Sequence, residues 1–168
     1  QALAEANLSI PVESNEIKNW PEGPILNARS AILMDADSGA ILYAKNIHEK
    51  LYPASLTKIM TLLLAVEAVE RGDVHLDDTV TAYADCNADM VEGASNADIK
   101  VGETVRVIDL LYALMLPSAN EAAYMLARHV GGTSEHFVDM MNTRAEELGC
   151  TGTHFCNPCG LHEEDHYT

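Results

Sequence analysis

The stretch Tyr52-Pro53-Ala54-Ser55-Leu56-Thr57-Lys58-Ile59-Met60-Thr61 sets a serine and a lysine three residues apart at the head of a long apolar run. Pro53 sits where helices commonly begin, because its φ is preset and its missing N–H would have no intrahelical acceptor. Ile59, Leu62, Leu63, Val66 and Val69 follow at steps of three and four and predict the buried face of the helix. Arg71 and then Gly72 supply a favourable C-terminal charge and a stop. Ser55 and Lys58 are thereby predicted on one face in the first turn or two. A hydroxyl beside an amine is a candidate activated nucleophile, provided that burial or a neighbouring cation keeps the amine neutral. A solvated serine and lysine at a helix start is the competing reading, and the pair alone does not decide between them.

The rest of the chain supplies the context. Its 168 residues are enough for one domain with a real core, and a hydrophobic fraction of 48% with 21% charged residues is that of a folded protein. The net charge of -16, from 26 acidic against 10 basic residues, disfavours nucleic acid and anionic membranes as partners. No apolar run is long enough to span a bilayer, and no basic stretch followed by an apolar run opens the chain. If the protein is secreted, its signal peptide is expected to have been removed.

Residues 1–28, with Pro11, Pro21 and Pro24 and no sustained period, are expected to form an extended lead-in that Trp20 pins down. Ala31-Ile32-Leu33-Met34 reads as a short buried strand, Asp35 to Gly39 as a turn and Ala40 to Ala44 as a second strand, giving a hairpin over 31–44. After the first helix, Asp77 to Tyr83 is expected to include a short strand, and Ala84 to Lys100 to be a polar loop. Val107 to Met115 is an apolar helix ended by Pro117, and Glu121 to Val130 a second helix closed by Gly131-Gly132. Ser118-Ala119-Asn120 occupies the break between them, where a serine and an asparagine are either helix caps or chemistry. Ser134 is expected to cap a helix running to Leu148, with Phe137, Met140, Met141, Ala145 and Leu148 inward. The tail, 149–168, reads as loop with one strand near His154-Phe155.

Four cysteines, Cys86, Cys150, Cys156 and Cys159, are too few for a disulfide scaffold, and their pairing is left open. Cys156, Cys159, His162 and His166 resemble a zinc pattern, but too little chain separates the cysteine pair from the histidine pair for the usual geometry. No metal and no cofactor is assigned, and Glu163-Glu164-Asp165 reads as a solvated loop.

The order of Ser55-x-x-Lys58 and Ser118-x-Asn120, each on its expected element, resembles serine acyltransferases that join S-x-x-K, a Ser-x-Asn element and Lys-Thr-Gly. With Ala31 to Leu42, Tyr52 to Thr61, Asp109 to Ala123 and Phe155 to His162, the chain is similar to the D-alanyl-D-alanine carboxypeptidases. These are low-molecular-mass penicillin-binding proteins of cell-wall biogenesis. The likeness extends over 29–168 and implies an α/β (α+β) transpeptidase-like fold, here the first hairpin plus the helical region of about 53–148.

The resemblance implies an acyl-enzyme on Ser55, with Lys58 as its base and Ser118 relaying a proton to the leaving D-alanine. It makes Asn120 a ligand of the substrate backbone and the Ser55 N–H an oxyanion donor. Pentapeptide stems of peptidoglycan would be substrates, β-lactams covalent inhibitors, and the location extracytoplasmic. One departure stands out: no Lys-Thr-Gly triplet occurs. In this family it lies on a later strand that lines the cleft, so the chain is expected to be an N-terminal portion that lacks the later sheet strands. That missing segment of the same enzyme would then be a partner. Two rivals remain. A class A-like β-lactamase has aspartate where Ala119 stands, and a non-catalytic module would bind peptidoglycan or dock to a partner.

Overall fold

Asp35 opens the hairpin turn by accepting hydrogen bonds from the Ser38 N–H and hydroxyl, and Gly39, at φ +72°, turns the chain back. The strands on either side, β1 (Ala31–Met34) and β2 (Ile41–Lys45), pair antiparallel with an irregularity between Leu33 and Met34. The computed structural model describes residues 17–87 and 93–168. Two compact units divide the chain, Gln1–Glu49 and Lys50–Thr168. In the first, Trp20 donates its indole N–H to the Leu42 carbonyl at 2.9 Å, the expected anchor of the lead-in. The expectation of a buried first strand is corrected: Ile32, Leu33 and Met34 are all more than half exposed. A two-stranded ribbon gives each strand one neighbour, which leaves the faces of β1 without a second layer from its own sheet.

In the second unit a 3-10 turn, Ala54–Leu56, leads into α1 (Thr57–Arg71), which Gly72 ends in the left-handed conformation. Ser55 thus lies in the tight turn before the helix, and Lys58 in the first turn of the helix itself. Next, β3 (Thr79–Thr81) pairs antiparallel with β4 (Thr104–Arg106), a three-residue strand that the sequence did not announce. The predicted loop between them carries a 3-10 turn, Ala84–Asn87, and residues 88–92 of it lie outside the described residues. Helix α2 (Val107–Met115) has the predicted bounds, and α3 (Asn120–Gly131) and α4 (Ser134–Glu147) complete the helical region.

Helix α3 is the centre of this unit and touches α1, α2 and α4. Ala122, Ala123 and Ala127 leave no side-chain bulk between the helices, and Met125 and Leu126 are fully buried among them. Leu110 and Leu114 of α2 join this core, while Phe137, Met141 and Ala145 of α4 form a second cluster with Leu64 and Phe155.

Two sequence expectations are corrected here, and the helix-cap alternative for Ser118 and Asn120 falls away. The buried stripe of α1 is Thr57, Lys58, Thr61, Leu64, Ala65 and Ala68, whereas Ile59 is 57% exposed and Val66 faces outward. Thr57, Lys58 and Thr61 make hydrogen bonds to the tail on that face, and Leu62 and Val69, from the predicted stripe, pack partly buried against the core. Ser118 and Asn120 do not cap α3: Ala119 is its N-cap residue, without a side-chain cap, and Asn120 is already helical. Helix α4 is capped by Thr133, whose hydroxyl accepts the His136 N–H at 3.1 Å, and not by Ser134. Thr133 has the extended backbone that a cap requires, while Ser134 is inside the helix.

Candidate active site

The 3-10 turn before α1 exposes Ser55, and the helix behind it buries Lys58 to 2% exposure. Lys58 Nζ donates to Ser55 Oγ at 3.2 Å, to Asn120 Oδ1 at 2.8 Å and to the Cys159 carbonyl at 2.8 Å. Two of these partners are pure acceptors, and an amine has three donor positions when charged but two when neutral. A neutral Lys58 therefore spends both N–H groups on Asn120 and Cys159 and turns its lone pair to the Ser55 hydroxyl. No carboxylate of the described residues pairs with it, so this is not a structural ion pair. Burial pushes the Lys58 pKa down, and Cys159 and Glu121 act against that shift. The competing reading of a solvated serine and lysine does not hold for an amine enclosed in this way.

Asn120, the first residue of α3, is held by its N–H to the Ser95 carbonyl at 3.0 Å. Because a Lys58 N–H is donated to it, the asparagine presents Oδ1 to the amine, leaving its NH2 for another acceptor. Glu121, 1% exposed, accepts the N–H groups of Ala97 at 2.7 Å and Ile99 at 3.3 Å. Asn120 and Glu121 together tie the 93–99 segment to the start of α3. That segment forms one wall of a cavity of about 270 Å³ lined by Ser55, Ala94, Ser95, Asn120, Gly160 and Leu161, among others.

The opposite wall is the tail. Asn157 Oδ1 accepts the N–H of Gly160 at 2.7 Å and of Leu161 at 3.2 Å, while its NH2 donates to the Leu161 carbonyl and to Glu163. This folds 157–161 into a turn that presents the Cys159 carbonyl to Lys58. Thr61 adds a bond from its hydroxyl to the Pro158 carbonyl at 2.6 Å. Gly160, at φ +90°, passes against the 3-10 turn that carries Ser55 so closely that a Cβ there would lie 1.8 Å from the Ala54 carbonyl oxygen. Ala54 itself has φ +49°, a left-handed conformation uncommon for alanine.

Ser55, Lys58 and Asn120 are thus brought together. Ser118 is half-buried at φ +59°, two residues before Asn120, and its hydroxyl bonds to neither Ser55 nor Lys58. Cys86 and Cys159 are buried and Cys150 is exposed. His166 bonds the Thr57 hydroxyl through Nε2. The Cys159 carbonyl, Asn157 and Gly160 escaped assignment. A backbone acceptor leaves no mark in sequence, although the stretch Phe155 to His162 that carries it was part of the family likeness.

A profile of D-alanyl-D-alanine carboxypeptidases matches residues 17–168. The chain is 42% identical over 141 residues to the D-alanyl-D-alanine carboxypeptidase DacF of Bacillus subtilis, covering 84% of this chain and 36% of that protein. It is 41% identical to DacC of Escherichia coli over 83% of its own length and 36% of the relative. Among solved structures, penicillin binding protein 6B from Escherichia coli superposes with a TM-score of 0.84 at 36% identity, covering 95% of this chain and 50% of that one. Penicillin binding protein 5 from Haemophilus influenzae gives 0.83 at 34% identity, over 88% of this chain and 43% of that one. The chain spans about a third to a half of the length of these relatives. With a matching profile over nearly all its residues and a serine hydrogen-bonded to a buried lysine at its cavity, the chain belongs to the D-alanyl-D-alanine carboxypeptidase family.

Proposed function

We propose that these residues form the nucleophile half of a serine-type D-alanyl-D-alanine carboxypeptidase acting on the stem peptides of peptidoglycan. Ser55 Oγ attacks the carbonyl carbon between two terminal D-alanines while its proton passes to Lys58 Nζ. The carbon–nitrogen bond then breaks, an ester forms on Ser55, and the leaving D-alanine takes a proton through Ser118. Water cleaves the ester and restores the hydroxyl. Asn120 uses its NH2 on the substrate backbone, and the Ser55 N–H, near the start of the turn, stabilises the oxyanion. In a β-lactam the leaving nitrogen stays tethered, so the same attack leaves a lasting adduct.

The observation that supports this most is the pair of acceptors, Asn120 Oδ1 and the Cys159 carbonyl, that occupies two positions of Lys58 and leaves the third to Ser55. The second wall of the cleft would come from a later segment with a Lys-Thr-Gly strand, a triplet these 168 residues lack. The enzyme works on the extracytoplasmic face, where its substrate lies. No helix of the described residues is long and apolar enough to cross a membrane.

Labelling with a fluorescent penicillin tests the reading, with Ser55→Ala as control, on these 168 residues and on the longest natural form. The expected outcome is Ser55-dependent labelling of the longer form only. Strong labelling of the 168 residues alone would refute the need for a second wall, and no Ser55-dependent labelling of either would refute the acyl-enzyme.

A further inference from the structure

The tail touches α1 through three side chains in its first five residues: Thr57, Lys58 and Thr61. Lys58 and Thr61 meet backbone carbonyls, but Thr57 meets a side chain that can hold its proton in either of two places. Thr57 Oγ1 lies 2.7 Å from His166 Nε2, with both residues no more than 2% exposed. On the other side of the ring, Nδ1 accepts the N–H of Cys156 at 3.1 Å. A backbone N–H can only donate, so Nδ1 must be bare and the proton must be on Nε2. His166 then donates to Thr57, and the tautomer is fixed by its neighbours. The Phe155 ring, 5.7 Å away and nearly perpendicular, closes one face of the imidazole.

Protonation would put a second N–H on Nδ1, pointing at the N–H of Cys156. Burial pushes the His166 pKa below its ordinary value, His154 and His162 act the same way, and Glu163 acts against them. The neutral ring is therefore the form that fits at neutral pH. Thr57 stands between Ser55 and Lys58 in the chain, at the junction of the 3-10 turn and α1. Cys156 begins the turn whose Cys159 carbonyl receives the Lys58 amine. One imidazole thus spans from the loop that orients the base to the residue that sets the angle between base and nucleophile.

We propose that His166, as the neutral Nε2–H tautomer, is a positioning residue for acylation of Ser55, bridging the Cys156 N–H to Thr57 Oγ1. It touches neither substrate nor the reacting atoms, and it acts by holding the first turn of α1 in register with the 156–160 loop. Lys58 Nζ then keeps both of its acceptors while facing Ser55 Oγ. This rests on the acyl-enzyme reading given above.

The test measures penicillin acylation of the longest natural form, separating the first-order acylation step from the dissociation constant of the initial complex and normalising to the fraction that labels. Misplacement of catalytic groups by an ångström costs about 100-fold, so His166→Gln and Thr57→Val are each expected to slow the acylation step by about 10- to 100-fold. The dissociation constant should move by less than about threefold, since neither residue is placed on the ligand. Thr57→Ser, which keeps the acceptor, should stay within about threefold of the unsubstituted protein, and the double variant should be no slower than the slower single one, because both remove one bond. Nitrogen-15 shifts of the His166 ring should report a proton on Nε2 and none on Nδ1.

A loss of thermal stability with an unchanged acylation step in the fraction that labels would make His166 merely structural and overturn the proposal. So would Thr57→Ser as slow as Thr57→Val, additive effects in the double variant, or a ring protonated at Nδ1. These outcomes leave Ser55-dependent labelling intact. Absence of that labelling in the unsubstituted protein would instead overturn the acyl-enzyme reading and the positioning role with it.

Discussion

Replacing Gly160 by alanine perturbs the tail and the nucleophile turn at a single point, and three glycines allow the two physical causes to be separated. At Gly160 the new Cβ would lie 1.8 Å from the Ala54 carbonyl oxygen and 2.4 Å from its carbon, at φ +90°. The left-handed backbone costs an L-residue about 1–2 kcal/mol. Forcing the loop from the turn adds about 1–3 kcal/mol, the usual range for overpacking. The sum, about 2–5 kcal/mol, is a large share of the roughly 5–15 kcal/mol by which a domain is stable. Gly72→Ala carries only the first cost, because φ is +79° and nothing lies within 4 Å, so about 1–2 kcal/mol is expected. Gly152→Ala carries neither: its nearest neighbour would be Lys50 Cε at 3.8 Å, and it should be neutral or gain up to about 1 kcal/mol by restricting the unfolded chain.

Urea unfolding with unchanged slopes measures the three differences. The same variants separate stability from chemistry, because only Gly160→Ala displaces the carbonyl that precedes Ser55. Penicillin acylation of the labelled fraction should fall by about 100-fold in Gly160→Ala and stay constant in Gly72→Ala and Gly152→Ala. If Gly160→Ala unfolded at the same urea concentration as Gly72→Ala and acylated normally, the close approach of the tail to the nucleophile turn would be refuted.

Two further outcomes follow from the electrostatics of the site and from the cap of α4. In the proposed mechanism acylation needs neutral Lys58, so its rate should rise with pH through a pKa that burial holds below the ordinary lysine range; Glu121 raises that pKa, so Glu121→Gln should move the rising limb of the pH–rate profile to lower pH. The amide keeps an oxygen for Ala97 and Ile99, and an unmoved or upward-moved limb would contradict the assignment of Lys58 as the base. Thr133→Ala should cost about 1 kcal/mol by removing the acceptor of the His136 N–H, whereas Ser134→Ala should cost under about 0.5 kcal/mol; thermal unfolding of the two variants checks which residue is the cap.

Several local features are legible in the sequence, although the cap of α4 is displaced by one residue from Ser134 to Thr133. The Asp35 and Gly39 turn, the stop at Gly72 and the bounds of α2 depend on backbone dihedrals and hydrogen bonds made within a few residues. The apolar period of α1 finds only part of its buried face, because half of that face is polar. Thr57, Lys58 and Thr61 reach partners about a hundred positions away, His166, Cys159 and Pro158, and no period in the helix encodes them. The same separation explains why Ser55, Lys58 and Asn120 were legible as side chains while the Cys159 carbonyl and Gly160 were not. Strand β4 has three residues, too few to show alternation.

The distribution of backbone strain bears on what this region is for. Asn19, Asn46 and Asp98 have positive φ, but asparagine and aspartate adopt that conformation readily. Ala54 and Ser118 have no such ease, and they are the other described non-glycine residues with positive φ. One immediately precedes Ser55 and the other stands two residues before Asn120, the two side chains that share the Lys58 amine. Strain of order 1–3 kcal/mol at each, together with a buried amine, would be lost to relaxation unless the surrounding packing enforced it. Gly160 supplies part of that enforcement at Ala54, and the Ala119 N–H bonded to the Ala113 carbonyl holds the turn after Ser118. A helix start kept for stability alone would relax both residues into ordinary conformations and let the lysine reach water. Their coincidence around one amine supports the proposed nucleophile, which needs its partners held in place in advance.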